Sequence, residues 1–463
     1  MIASSFRDPS GHVFLHEERV FRAISAEFRR VWEDLCEGRL IGELERDGRF
    51  VKTRTVESPL REKLTAEHPG FTHFLEHDRI APLTYPYEWS VSMLADAAIL
   101  TLDIQLALLT AGYSLKDASA YNVQFINGRP IFIDVTSIEH PQRLDIWFAL
   151  GQFQRMFLFP LLLCRRCGWD FRSYFIANLD GRTPNQVRQQ FAGLALWRPE
   201  LLVDLTLPWL LERRAKEMTT SLGTASAPRK ASGAAQLFNL KRLRKKISKL
   251  ADGFVPQSEW THYTETCSYD ERGETAKKNW VREFLEEVRP KRVLDLGCNT
   301  GDYSMIAADS GAQVIAADAD AGVIEKLYRK LRPKPRPISP VVLDIGNPSP
   351  AIGFRNEERA RFLDRVDADC LLALALLHHL LVSANLSLDQ ISNLFADLTR
   401  GYAVVEFVPP ADPMFLRLLR FRVNLCEHVT LEACRNAFLA RFDILKETTI
   451  PNSPRTLLFL RKK

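Results

Sequence analysis

Several groups of residues in this chain have the types and spacing to do chemistry. The run Val293-Leu294-Asp295-Leu296-Gly297-Cys298-Asn299-Thr300-Gly301 sets two glycines in a short turn just before a helix predicted from about Asp302. Such a turn lets backbone N–H groups and a helix N-terminus come close to the anionic end of a ligand. The next apolar run, Val314-Ile315-Ala316-Ala317, ends on Asp318, and a carboxylate there can accept both hydroxyls of a ribose. Turn and carboxylate together suit a nucleoside-bearing cofactor. Further on, His378 and His379 stand side by side in Leu376-Leu377-His378-His379-Leu380. Imidazoles titrate near neutrality and are apt for proton abstraction from a substrate. Glu406, in Val404-Val405-Glu406-Phe407-Val408, is a second group for orienting a substrate, or a strand-end residue facing solvent.

These residues need elements to hold them, and the pattern supplies them. From Asn279 onward helices and strands alternate. Helices are expected at 275–288, 302–310, 320–331, 356–365 and 388–399, and strands at 292–296, 313–317, 340–343, 369–375, 402–408, 442–449 and 455–461. Alternation of this kind predicts an α/β domain with a mostly parallel sheet covered on both faces. The last two strands, joined by Pro451-Asn452-Ser453-Pro454, predict an antiparallel hairpin at the edge. Ligand crevices of such sheets lie at the carboxyl ends of the strands, where both the glycine turn and the histidine pair fall.

The first 215 residues read differently, as an α+β domain. Helical spacing of apolar residues runs through Val20–Cys36 and again through Ser92–Thr110. Strands at Asn122–Ile126 and Pro130–Val135 are joined by Asn127-Gly128, a favoured hairpin turn. The stretch Thr219–Ala235 is rich in Ser, Thr, Ala and Gly and reads as a linker. Residues 216–255 therefore separate an N-terminal domain, 1–215, from a C-terminal one, 256–463. Within this connection, Leu237–Leu250 carries Leu240, Leu243, Ile247 and Leu250 on one side and lysines and arginines on the rest. It is either a connector packed on its own domain or a helix making peripheral contact with an anionic membrane.

Composition narrows the classes. A formal net charge of +5 over 463 residues is small for a reader of nucleic acid, and no basic patch interleaved with aromatics is present. No run of apolar residues is long enough to predict a transmembrane segment, and Ile146–Cys164 reads as a buried helix because Gln152, Gln154 and Arg155 interrupt it. The eight cysteines lack paired spacing, and Cys164-x-x-Cys167 has no second pair to complete a metal site. No metal centre is expected. Reduced thiols and the absence of a signal-peptide pattern point to the cytoplasm.

The turn from Asp295 to Gly301 resembles the first motif of class I S-adenosylmethionine (SAM)-dependent methyltransferases, Asp-x-Gly-x-Gly-x-Gly, with Asn299 in place of the middle glycine. Asn tolerates left-handed backbone geometry. The resemblance implies a Rossmann-like sheet and SAM as cofactor, with Asp295, Gly297, Asn299 and Gly301 forming the turn, Asp318 on the ribose and Asp344 on the adenine. An NAD enzyme is the rival, but its fingerprint needs Gly-x-Gly-x-x-Gly and the chain offers only Gly-x-x-x-Gly. Val408-Pro409-Pro410-Ala411 lacks the amide or acid and the aromatic of the DNA amino-methyltransferase motif.

In the N-terminal domain, Asp117, Asn122 and Asp134 resemble a protein-kinase catalytic loop and its metal-binding aspartate. That resemblance implies a base at Asp117 and magnesium ligands at Asn122 and Asp134. No glycine-rich loop, His-Arg or Phe-Gly accompanies them, so a domain binding acceptor or partner is expected rather than an active kinase. Lys52 is the lysine that would serve a clamp. Over nearly its whole length, through Asp8-Pro9-Ser10-Gly11, Tyr85-Pro86-Tyr87-Glu88-Trp89-Ser90, Leu115–Asp134 and Asp295–Gly301, the chain resembles a rhizobial host-specificity nodulation family of two-domain methyltransferases. The family implies methyl transfer to a small-molecule or saccharide acceptor, such as a signal saccharide or its precursor. A regulatory SAM-binding protein and a bifunctional kinase-methyltransferase are the alternatives.

Overall fold

The computed structural model describes residues 5–210, 214, 233–256, 271–419 and 428–463. Most of the expected linker, residues 219–232, lies outside them. The chain forms two compact units. The first contains residues 1–125 and 130–254 together with 353–359, and the second holds the rest.

The first unit begins with a four-stranded antiparallel sheet of β1 (Gly11–His16), β2 (Arg19–Ile24), β3 (Thr53–Thr55) and β4 (His73–His77), in the order β1-β2-β4-β3. Its apolar face buries Phe14, Phe21, Ala23 and Phe74. The helix expected over Val20–Cys36 therefore begins as strand, through Ile24. Ser25 divides it by accepting a hydrogen bond from the Phe28 backbone N–H and capping α1 (Ala26–Glu37). Before that cap, Val20, Phe21 and Ile24 suit the pleated surface as well as a helix.

The long expected helix is present as α2 (Val91–Thr110) and lies mostly inside the unit. It is long and apolar enough to cross a membrane, but that apolarity is used for packing. Its buried Gln105 receives the Leu115 backbone N–H at 2.8 Å and donates to Ser114 at 3.1 Å. In this way α2 fixes the segment leading to Asp117. The hairpin follows as β5 (Val123–Ile126) and β6 (Arg129–Phe132), with Asn127 and Gly128 both at positive φ, as its turn requires. Residues 150–167 are helical, with one wider turn at Gln154–Leu158.

The basic segment is α3 (Gly233–Ala251). Leu240, Leu243, Ile247 and Leu250 are buried, Arg244 bonds Asp103 of α2 at 2.7 Å, and Arg242 and Lys246 both pair with the buried Asp204. It is a connector packed on its own unit.

The second unit is a three-layer sandwich. Its strands are β7 (Arg292–Leu296), β8 (Gln313–Asp318), β9 (Ile338–Val342), β10 (Ala368–Ala373), β11 (Thr399–Phe407), β12 (Phe442–Thr449) and β13 (Thr456–Lys462). They run in the order β9-β8-β7-β10-β11-β13-β12. All pairs are parallel except those made by β13, which is antiparallel to both neighbours. Alternate strand residues feed two cores. Val293, Val314, Cys370 and Leu372 face one way, and Leu294, Leu296, Leu371 and Ala373 the other. The helices expected at 275–288, 302–310, 320–331 and 388–399 are seen at Glu271–Val288 (α4), Asp302–Asp309 (α5), Ala321–Leu331 (α6) and Leu388–Leu398. The helix expected over 356–365 is largely absent. Arg355 and Asn356 take positive φ and stop it, and only Phe362–Arg365 is helical.

Leu371 sits in the central strand with no exposed surface. Leu371→Ala should cost about 2–5 kcal/mol through lost burial and the cavity left behind. Urea unfolding checks this, and an unchanged midpoint would mean that the sheet centre is not the core.

Candidate active site

The glycine turn leaves β7 and folds back on β8. Gly297 and Cys298 donate their N–H groups to the Ala317 carbonyl at 2.8 and 3.1 Å. Gly297, Asn299 and Gly301 have φ of 69°, 48° and 85°, so Asn299 does adopt the left-handed geometry. A Cβ on Gly301 would meet the Leu327 side chain of α6 at 2.5 Å. This glycine thus serves packing against the sheet's cover as well as the turn. Asp295 lies beneath the turn, buried, with Ser304 donating to it at 2.6 Å. Burial pushes its carboxyl up to about 7, the Ser304 bond opposes this, and the nearby Asp318 adds to it.

Asp318 is tied into the turn. Its Oδ2 accepts the Asn299 N–H at 3.0 Å and its Oδ1 the Asp320 N–H at 2.9 Å. Burial pushes this carboxyl up to about 6 against those backbone bonds. A strand-end carboxylate held beside a left-handed glycine turn fits the ribose and amino-acid ends of SAM. Asp344 is different. It is exposed, and its Oδ1 accepts the Gly346 N–H at 2.9 Å in an Asx turn one strand further out.

On the other side of β7, β10 runs parallel, with Leu296 opposite Ala373. The chain then turns through Ala375, at φ 52°, into the helix Leu377–Val382 (α7). A Cβ on Gly297 would lie 3.3 Å from the Leu376 side chain. The start of α7 is therefore packed against the glycine turn. His378 is 1% exposed, and neither ring nitrogen has a hydrogen-bond partner among the described residues. Its ring lies 4.2 Å from that of His379 and 5.8 Å from Phe415. Burial holds His378 well below the ordinary imidazole range, helped by His379 and Arg455, and lowers His379 to about 4. Both rings are neutral at physiological pH.

Glu406 does not face solvent. It ends β11 completely buried, with Oε2 2.5 Å from Lys277 Nζ and Oε1 3.3 Å from Arg455. Arg455 also holds Asp412 at 2.7 and 3.0 Å, and Lys277 Nζ stands 4.9 Å from the centre of the Tyr303 ring. Both Glu406 oxygens are thus engaged, which leaves it a part in holding this edge together. Lys277, Asp412 and Arg455 escaped sequence reasoning. The only signal was a charge at three otherwise unremarkable positions.

In the first unit, Asp117, Asn122 and Asp134 do come together. Asp117 is pushed up by burial and by the Asp134 charge, and Ser119, Gln152 and Asn122 hydrogen-bond it. The cation beside Asp134 is Arg22 of β2, at 2.8 Å, and Arg22 also donates to Thr136. Lys116 bonds Ser10 at 2.7 Å and lies 3.8 Å from Asp8. Lys52 is exposed. No cluster of His, Cys, Asp and Glu fit for a metal occurs among the described residues. The Tyr85–Ser90 motif is a buried turn, in which Glu88 accepts the Tyr85 N–H at 3.0 Å and Trp89 bonds Thr84 at 2.9 Å.

Counted from β7, the strand order of the second unit is 3-2-1-4-5-7-6, with the seventh strand reversed. With the glycine turn and Asp318 at its carboxyl edge, this defines the class: a class I SAM-dependent methyltransferase domain. No family model matches the chain. Over 458 residues it is 32% identical to nodulation protein NoeA of Rhizobium meliloti (strain 1021), covering 98% of this chain and 95% of that one. The chain belongs to the NoeA family. Among solved structures it is similar to the N-methyltransferase NodS of Bradyrhizobium japonicum WM9, at 11% identity and TM-score 0.31, over 42% of this chain and 98% of that one. The magnesium protoporphyrin IX methyltransferase ChlM of Synechocystis PCC 6803 matches at 15% identity and TM-score 0.31, over 41% and 84%. WbdD matches at 18% and 0.31, over 44% and 42%.

Asp318→Ala should weaken SAM binding more than tenfold, since losing hydrogen bonds to a charged group costs about 1.5–3 kcal/mol. Calorimetry with a folded variant checks this, and unchanged affinity removes Asp318 from the ribose.

Proposed function

We propose that this chain methylates an oxygen or nitrogen of a small-molecule or saccharide acceptor, held at the start of α7 next to the cofactor turn. The observation that carries this reading is the packing of Leu376 on Gly297, which supports an acceptor place at the start of α7, the helix that carries the two histidines. Gly297–Gly301 and Asp318 would hold the amino-acid and ribose ends of SAM. When bound, SAM supplies a methyl group on a sulfonium, and S-adenosylhomocysteine leaves. His378 and His379 orient the acceptor, and one takes its proton as the new bond to carbon forms. A neutral imidazole both donates and accepts hydrogen bonds, so His378 can fix a hydroxyl or amine in line; positioning of this kind is a large part of such catalysis. The relation to NoeA, called a nodulation protein, supports a saccharide signal or its precursor as acceptor and a role in host-specific nodulation. Labelled SAM offered with chitin oligosaccharides and their lipid-bearing forms tests the acceptor class. Transfer to none of them, with transfer to an unrelated metabolite, would replace it.

The first unit is better suited to holding an acceptor or partner than to moving phosphate. Arg22 already engages Asp134, the residue that a metal would need. The full chain with magnesium and ATP should therefore release or transfer no more phosphate than its Asp134→Ala variant. Phosphate transfer that depends on Asp134 would make the protein bifunctional.

For the histidines, His378→Ala or His379→Ala should lower turnover about a hundredfold with SAM affinity kept. A base whose pKa is lowered stays competent as pH falls, until it protonates. At saturating SAM the acid limb of kcat should thus lie well below the ordinary imidazole value of about 6.5, toward the 4 of His379. Near-full activity in both variants would make the pair structural, and a limb at the ordinary value would mean that an exposed group is the base.

A further inference from the structure

The side of α3 turned away from its buried stripe is not explained by packing. At 100° per residue, Phe238, Lys241, Lys245 and Lys249 fall on one face, opposite Leu240, Leu243 and Ile247. While Arg242, Arg244 and Lys246 are paired inward, these three lysines are exposed, with no carboxylate partner among the described residues. Phe238 is 72% exposed, the most of any large apolar side chain described.

The exposed face of α3 thus sets Phe238 among a row of lysines. A polyanion in solution would explain the lysines but not the ring. A ring that enters the headgroup layer while lysines meet its phosphates explains both.

We propose that this face docks the protein on an anionic lipid bilayer, with Phe238 in the interface and Lys241, Lys245 and Lys249 on the headgroups. The inference does not depend on the methyl-transfer reading, since its test measures binding alone. The full chain is floated with vesicles of phosphatidylcholine, or with the same lipid carrying about 30% phosphatidylglycerol, a charge density that strongly attracts basic segments.

Binding to the anionic vesicles, little to the neutral ones, and release at high salt are expected. A lysine near such a surface contributes about fivefold in partitioning, so replacing all three by Gln should cost about a hundredfold. Phe238→Ser should cost about tenfold at unchanged salt dependence. Both variants should keep the far-ultraviolet circular dichroism and the thermal unfolding midpoint of the parent chain, which shows that they fold. No binding to anionic vesicles, equal binding to neutral ones, or a triple variant that binds normally would each overturn the proposal. So would loss through the lysines with no effect of Phe238 and equal capture on heparin, which would mark a site for soluble polyanions.

Discussion

Glu406 ends a central strand with no contact with water, and a carboxylate can remain ionised there only if cations go in with it. Lys277 from α4 and Arg455 from the hairpin turn do so, and Arg455 in turn requires Asp412 from the loop after β11. These residues come from widely separated parts of the chain, and together they close the carboxyl edge of the sheet where the acceptor is proposed to bind. Removing one member would strand a buried charge, at a cost of about 3–5 kcal/mol. Burial above all, and then His379 and Arg455, oppose a proton on His378, with Asp412 working the other way and Lys277 adding to the lowering, so this imidazole is neutral.

Much of the second unit was legible in the sequence because its signals are local. The glycine turn, Asp318 and the alternation of elements each require particular residues at short spacing, and the left-handed Asn299 is a case where residue type anticipated backbone. The failures are also physical. The apolar spacing of Val20, Phe21, Ile24 and Phe28 satisfies a strand followed by a helix as well as one helix, and Ser25 decides between them. The Glu406 network was illegible because a charged residue reveals its burial only through partners distant in the chain. Reading Glu406 as a group free to orient substrate missed the two cations already on it. Asp344 lies where the motif places it but makes only an Asx turn.

The first unit shows how a motif can be right in position and altered in chemistry. Asp117, Asn122 and Asp134 gather as the spacing implied. Yet the cation at Asp134 is Arg22, from a strand that the apolar pattern had assigned to a helix. Arginine keeps its charge at any accessible pH and presents several donors, so it can satisfy this carboxylate without a metal. The site is then a polar cluster in which Asp134 already holds a cation of the chain itself.

The account rests on where the cofactor lies relative to α7, and a crystal structure of the chain with S-adenosylhomocysteine tests this most directly. The account predicts the ligand's amino-acid end on the Gly297–Gly301 turn, its ribose hydroxyls on Asp318, and its sulfur toward His378 and His379. A ligand whose sulfur points away from α7, or one bound elsewhere with Asp318 untouched, would contradict it.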